Sequence, residues 1–245
     1  MKKTVHQNKN ISQVKTTFRI NKYMADMGLA SRREADELIA TGVVFVNDEK
    51  AQSGMQIDPS KDKLEVRADK KTFVYYAYNK PVGIVTTGAQ GNEEDILSYT
   101  KFPHKVFPLG RLDKDSHGLI LLTNDRRITH RLLDPQFEHE KEYIVEVEKN
   151  INKNFLRTME SGIKINGAQT KPIQIFQIDN TTFNIILTEG KNRQIRKMVE
   201  VSGDHVVDLE RVRIEHIELD GLKEGTFRPI SKTEISKLLK KLGLS

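Results

Sequence analysis

A chain of 245 residues with 37% hydrophobic side chains is long enough for two unequal domains and apolar enough to pack them, which excludes wholesale disorder. It contains no cysteine, so disulfide frameworks, thiolate zinc sites, iron–sulfur ligation and every thiol-nucleophile mechanism are excluded, the cysteine-dependent methylation of RNA uracil among them. The net charge is +6, and residues 1–33 carry eight basic side chains against a single acid, Asp26, so the positive excess sits at one end and points to an anionic partner.

Residues 1–17 are polar and aperiodic and are expected to form a disordered basic tail, with no apolar segment behind the opening lysines that could serve secretion. No apolar run approaches the roughly 18 residues of a membrane span, so a soluble, cytoplasmic protein without membrane contact is expected. From residue 18 onward Ile20, Tyr23, Met24 and Met27 recur at helical spacing, and Gly28 stands where a helix C-terminus takes a left-handed residue. Ser31 precedes Glu34 by three positions, the spacing of a capping box, and opens a second helix with Ala35, Leu38 and Ile39 inward and Gly42 as its stop. Residues 43–46, a turn at Asn47 and Asp48, and an extended stretch to 66 read as a small β element. These segments define a domain over 18–67, followed by a linker over 68–72 and a larger domain over 73–245.

In the larger domain, strands are predicted over 73–78, ending at Lys80-Pro81-Val82-Gly83, and over 119–122, which is apolar on both faces and therefore central. Further strands are predicted over 143–147, 173–178, 183–188 and 206–214. Helices are predicted over 194–201 and in a final segment opened by Ser231 and Glu234, with Ile235, Leu238, Leu239 and Leu242 inward. The expected class is α+β: a small two-helix-plus-β domain, then a mainly antiparallel mixed sheet with flanking helices.

Four constellations could carry chemistry. Arg19 and Lys22 lie three apart on the first helix, while Arg32 and Arg33 occupy the first turn of the second, where cations oppose the helix dipole. A phosphate-binding surface and ordinary exposed charge explain them equally well. The stretch FPLGRLDKDSHGLILLTND (107–125) holds a polar loop with two carboxylates, Asp113 and Asp115, among Arg111 and Lys114. A loop aspartate can act as nucleophile or base, but most such residues cap turns, and spacing alone leaves the choice open. In HEKEYIVEVEK, strand alternation puts Lys141, Tyr143, Val145 and Val147 on one face, which by itself makes Tyr143 a half-buried core residue. In LTEGKNRQIRKMVEVSG, the basic loop 190–193 runs into a helix N-terminus, a natural phosphate site. Ile195, Met198 and Val199 form its buried stripe, with Arg193, Arg196 and Lys197 on other faces. Downstream, alternation in LERVRI presents Leu209, Arg211 and Arg213 on one strand face. The seven histidines show no pair at ligand spacing, so no metal site is expected, and His117 is given a structural or RNA-facing role.

Two resemblances follow from these strings. FRINKYMADMGLASRREADELIATGVVFVND is similar to the small RNA-binding domain first described in ribosomal protein S-four, a grip on structured RNA. NKPVGIV, GRLD followed by S-x-G-L, K-x-Y and Q-I-R, in that order, resemble RNA pseudouridine synthases of the RsuA/RluB/RluF type, most nearly the RluF type. The resemblance implies Asp113 as the essential catalytic residue, Tyr143 stacked on the uracil, and Arg196 paired with Asp113 to keep it ionised. It further implies Leu209 lining the base pocket, Arg111 filling the gap left by a flipped nucleotide, and Lys80, Pro81 and Gly83 packing behind the catalytic loop. Arg19, Lys22, Arg32, Arg33, Lys191 and Arg193 are expected to contact phosphates.

The implied reaction is isomerisation of a specific uridine to pseudouridine in large-subunit (23S) ribosomal RNA, and for some members also in a tRNA. The base is detached, turned and rejoined through carbon 5, which needs no redox change, group donor or energy source, so no cofactor is implied. The implied partner is a structured RNA stem-loop, and a monomer is expected. Two rival classes stand beside this reading. A non-enzymatic RNA-binding factor would have no need of an aligned Asp, Tyr and Arg. A glycosidase-like hydrolase would need two carboxylates about 5 to 9 Å apart, which Asp113 and Asp115 at i, i+2 do not assure.

Overall fold

The computed structural model describes residues 17–67 and 72–244, so all but the last residue of the expected tail over 1–17 and of the expected linker over 68–72 lie outside the described residues. The chain divides into two compact units between Lys71 and Thr72.

The first unit runs β1 (Phe18–Arg19), α1 (Ile20–Asp26), α2 (Arg32–Ala40), β2 (Val44–Val46), β3 (Glu49–Lys50), β4 (Gln56–Ile57) and β5 (Leu64–Val66). β1 pairs with β4, and β2 is the middle strand between β3 and β5, all antiparallel. Both halves of the Ser31 capping box form: the hydroxyl accepts from Glu34 N–H at 3.2 Å, and the Glu34 carboxylate accepts from Ser31 N–H at 3.2 Å. The Glu34 carboxylate at this end offsets the unfavourable position of Arg32 and Arg33 against the helix dipole. Ile20, Met24, Ala35, Ile39, Val44, Val46 and Ile57 close the core. Met27 departs from expectation and is 58% exposed. The helix ends at Asp26, and the turn through Met27 into left-handed Gly28 (φ 69°) takes this side chain off the buried stripe.

The second unit begins with β6 (Tyr75–Lys80), α3 (Ile96–Tyr99), β7 (Phe107–Leu109), β8 (His117–Thr123), α4 (Arg127–Leu133), β9 (Lys141–Val147) and α5 (Lys153–Glu160). A small hairpin, β10 (Lys164–Ile165) and β11 (Ala168–Gln169), leads to β12 (Gln174–Gln177), β13 (Thr182–Leu187), α6 (Gln194–Val201), β14 (Val206–Ile214), β15 (Ile217–Glu218), β16 (Phe227–Pro229) and α7 (Lys232–Lys241). The main sheet has the order β12-β13-β9-β14-β8-β6-β16, with β7 on β8 and β15 on β14. Every pairing in it is antiparallel except β14 with β8. The α+β class with a mainly antiparallel mixed sheet is therefore the observed one.

β8 is buried on both faces, as its composition predicts: Leu119 and Leu121 pack with α4 and α7, while Ile120 and Leu122 pack with Tyr76, Tyr78 and Ile96. β9 and β13 bury Val145, Phe183 and Ile185 against Phe155 and Met159 of α5 and Met198 and Val199 of α6. The helices α4 and α5 were not among the predicted elements. Their signals are local and short: α5 has an Asn152 cap accepting from Phe155 N–H at 2.9 Å and only two fully inward residues, Phe155 and Met159.

Two irregularities position the site. Where β8 meets β14, Gly118 has φ 103°, and a Cβ there would stand 2.4 Å from the Arg211 carbonyl oxygen. Only glycine permits this approach. In β14, Arg211 opposes Tyr143 and Arg213 opposes Glu142, so Val212 is an extra residue, a β-bulge. The bulge corrects the expectation that Leu209, Arg211 and Arg213 share a face. Leu209 and Arg211 lie with Val145 and Tyr143, whereas Arg213 is turned to the other face, where it pairs with Glu140 (3.0 Å) and Glu142.

Candidate active site

The loop between β7 and β8, residues 110–116, is polar and would have no regular partners of its own. It is fixed by hydrogen bonds from neighbouring segments. Thr86, 2% exposed, donates its hydroxyl to the Leu112 carbonyl (2.7 Å) and accepts from Leu112 N–H (2.9 Å). Gly83 N–H donates to the Lys114 carbonyl (2.8 Å), and Ser116 N–H donates to the Asp113 carbonyl (3.1 Å). Lys80 is fully buried and donates to the carbonyls of Pro81 (2.8 Å) and Ile84 (2.6 Å), which holds the 81–84 turn in shape. The NKPVG string thus packs behind the loop as expected. Burial pushes the Lys80 ammonium down to about 8, against the opposing pull of Asp115 and Asp113.

One cleft of about 440 Å³ opens beside this loop. Asp113, Tyr143, Arg111, Leu209, Lys191 and Arg193 all line it. Its floor is the face of β9 and β14 described above, with Lys141, Tyr143, Leu209 and Arg211 side by side. The side chain of Asp113 is 36% exposed at the rim, and Arg193 Nη1 stands 3.9 Å from its Oδ2.

Arg196 does not pair with Asp113, which corrects the expected geometry. Nor is it on a solvated helix face: it is 8% exposed and reaches beneath the loop. Its Nη2 donates to the Asp115 carbonyl (2.6 Å) and to Ser116 Oγ (3.2 Å), and its Nε lies 3.4 Å from the Asp115 carboxylate. The physical reason is its place on α6. Arg193 caps the helix in a left-handed conformation (φ 51°), which carries its guanidinium over the rim, while Arg196 projects one turn later, under the loop backbone.

Arg193 instead grips Asp115 with two bonds, at 3.0 and 2.9 Å. That pairing, with the Arg196 charge, holds the Asp115 carboxyl below its ordinary range. Lys191 donates to the Gln169 carbonyl (2.9 Å) and pairs with Glu189 (3.1 Å), so both loop cations expected at phosphates already have protein partners. Arg19, Lys22, Arg32 and Arg33 are exposed, and none is in an ion pair with another described residue. His117 lies against Asp208 (3.0 Å) and Glu224 (3.4 Å), which fits a structural role.

Sequence reasoning did not single out Thr86, whose bonding to the loop backbone is long-range in sequence. It placed Lys141 and Arg211 on strand faces without giving them a role, although alternation with Tyr143 and Leu209 already puts them on the cleft floor.

The cleft thus joins a carboxylate at its rim, an aromatic ring on its floor and a cationic border within the second unit. Residues 74–201 match the family described as RNA pseudouridylate synthase, and residues 18–62 match the S4 domain. The chain is 40% identical over 231 residues to the dual-specificity RNA pseudouridine synthase RluF of Escherichia coli K12, covering 92% of this chain and 79% of that one. It is 32% identical over 232 residues to the ribosomal large subunit pseudouridine synthase B of Bacillus subtilis, covering 90% of this chain and 95% of that one. Among solved structures, one of a pseudouridylate synthase superposes with a TM-score of 0.67 at 30% identity, covering 90% of this chain and 99% of that one. The chain belongs to the RNA pseudouridine synthase family, enzymes that isomerise uridine, and it carries an N-terminal S4 domain.

Proposed function

We propose that this synthase converts a specific uridine of large-subunit (23S) ribosomal RNA to pseudouridine, acting on a flipped-out nucleotide in the cleft of the second unit. The observation that carries the reading is that Asp113, Tyr143, Arg111 and Leu209 line one cleft. Asp113 is the essential catalytic group, as nucleophile at the sugar or as proton abstractor. Tyr143 stacks on the uracil and Leu209 flanks it. Arg111 fills the space the nucleotide leaves, offsetting an unstacking cost of a few kcal/mol. Arg196 acts through the loop backbone at Asp115 and Ser116, and so as a positioning residue. The S4 domain grips the RNA through Arg19, Lys22, Arg32 and Arg33, and Arg193 and Lys191 border the phosphate path.

The names of the relatives support the substrate class: one acts on the ribosomal large subunit and the other has dual specificity. A tRNA is accordingly the second substrate to test. The protein works as a cytoplasmic monomer on a structured stem-loop, and no helix among the described residues is long and apolar enough to cross a membrane. The hydrolase alternative weakens because Asp115 is taken up by Arg193 and Arg196. Mapping pseudouridine in ribosomal RNA and tRNA from cells with and without the protein, and with the Asp113→Asn variant, tests the reading. A site lost in both altered strains is expected; an unchanged map overturns it.

A further inference from the structure

Arg211 is 3% exposed, lines the cleft and sits directly across β14 and β9 from Tyr143. Its Nε donates to the Leu119 carbonyl at 2.7 Å, which fixes the plane of the guanidinium. Its Nη2 is buried and meets no acceptor among the described residues, and no described carboxylate forms an ion pair with it. An unsatisfied buried donor costs on the order of 1–3 kcal/mol, more when charged. Packing alone does not require that cost, since Leu109, Leu187, Leu209 and Ile214 fill neighbouring positions of the same cleft.

A second cation reinforces the imbalance. Lys141 also lines the cleft and donates to the His139 carbonyl at 3.0 Å. Burial and the charge of Arg211 bring its ammonium down to about 8. Among the described residues the acid acting on it is Glu215, which is already shared by His139 (2.7 Å) and Lys241. The floor beside Tyr143 therefore holds positive charge in excess, in a place where little water screens it.

We propose that Arg211 is a further catalytic residue, whose guanidinium donates to a carbonyl oxygen of the uracil and carries the negative charge the base acquires as its glycosidic bond breaks. The inference rests on the pseudouridine synthase reading of the cleft. When N1–C1′ breaks, its electron pair leaves with the base, giving an anion spread over N1 and the two carbonyl oxygens. The sugar is satisfied either by the Asp113 carboxylate bonding C1′ or by Asp113 taking the 2′ proton, which it later returns. C5 then bonds to C1′, which releases the Asp113 carboxylate on the first route and returns the proton to C2′ on the second; the C5 hydrogen leaves as a proton and N1 takes one up, so substrate and product are isomers. On both routes the base is an anion midway. A fixed, desolvated N–H aimed at such a charge is the kind of donor whose removal costs about 10²- to 10³-fold in rate.

The test uses the full chain and single-turnover consumption of the N-linked nucleoside, on a stem-loop spanning the mapped target with either uridine or 5-fluorouridine at that position. Fluorine stabilises the departing base anion, so the fluorinated substrate depends less on the donor. Arg211→Met is expected to slow uridine by about 10²- to 10³-fold, to leave the RNA dissociation constant within about threefold, and to slow 5-fluorouridine at least about tenfold less than uridine. Equal losses on both substrates, or a loss residing in RNA affinity, would overturn the proposal. Arg211→Lys keeps the charge without the planar fork and covers the case in which Arg211→Met does not fold. Its loss, roughly tenfold on uridine, must again shrink with fluorine, and equal losses overturn the proposal here too. A wild-type protein inactive on uridine would bring down the reading of the cleft and this inference with it.

Discussion

The hydroxyl of Thr86 closes a two-bond ring with the backbone of Leu112, donating to its carbonyl and accepting from its N–H. Leu112 immediately precedes Asp113, so this ring sets the direction in which the carboxylate leaves the loop.

Thr86→Val keeps the volume and removes both bonds, stranding two buried backbone groups at a cost of about 1–3 kcal/mol each. The expected result is a lower melting temperature and a turnover number reduced about 10- to 100-fold by misplacement of the carboxylate, with KM changed much less. Thr86→Ser should recover most of the turnover. Equal turnover for Val and Ser would show the ring to be irrelevant to Asp113.

Asp113→Asn preserves size and hydrogen bonding while removing the charge. Conversion of uridine should fall below detection while RNA affinity, read by filter binding, stays within about threefold. Retained conversion would relocate the chemistry to another carboxylate.

Neutralising Arg19, Lys22, Arg32 and Arg33 together should weaken RNA binding and flatten its salt dependence. If each of the four neutralises one phosphate in the wild-type complex, the slope of log K against log salt should fall by about 3. An unchanged slope would make these exposed cations bystanders.

Glu234 accepts from Arg228 and from Ser231 N–H at the start of α7, and these bonds bring its carboxyl down to about 2. A lowered carboxyl favours the folded state above its ordinary value of 4.5, and that contribution fades as pH falls towards 2. Thermal melts between these limits should therefore drop less steeply for Glu234→Gln than for wild type. Parallel curves would refute this.

Lys141 presents the opposite sign. Its folded-state value near 8 lies below the ordinary 10.5, so its burial as a cation costs stability at neutral pH, and the cost is relieved as pH rises from about 8 to 10.5. Lys141→Met should be the more stable protein at pH 7, with its advantage shrinking through that window. A constant difference would mean that Lys141 is not the titrating group.

Much of this could be read in the chain because the signals were local. The capping boxes at Ser31 and Ser231, the doubly apolar run of β8 and the alternation around Tyr143 each need only a few neighbouring residues. The cleft residues Asp113 and Tyr143 came from motif order, not from spacing alone. Short helices such as α4 and α5 escaped because few residues carry their signal, and the rest of what escaped is long-range or irregular. Nothing within residues 84–88 shows that Thr86 reaches Leu112, 26 positions on. Strand alternation fails at Val212 because a bulge is set by pairing with β9 and not by the residues of β14. The resemblance put Arg196 beside Asp113, but Asp115 stands only two residues on, and the path of the loop decides which of the two it meets.

The bulge at Val212 lets one continuous strand serve two separate tasks, an ion-pair ladder on one side and the floor of the cleft on the other. Strict alternation of the same residues would have turned Arg213 to the side of Arg211 and left Glu140 and Glu142 without their cation. Two arginines only two positions apart are thereby kept in separate electrostatic surroundings, one enclosed beside Tyr143 and the other neutralised by two carboxylates.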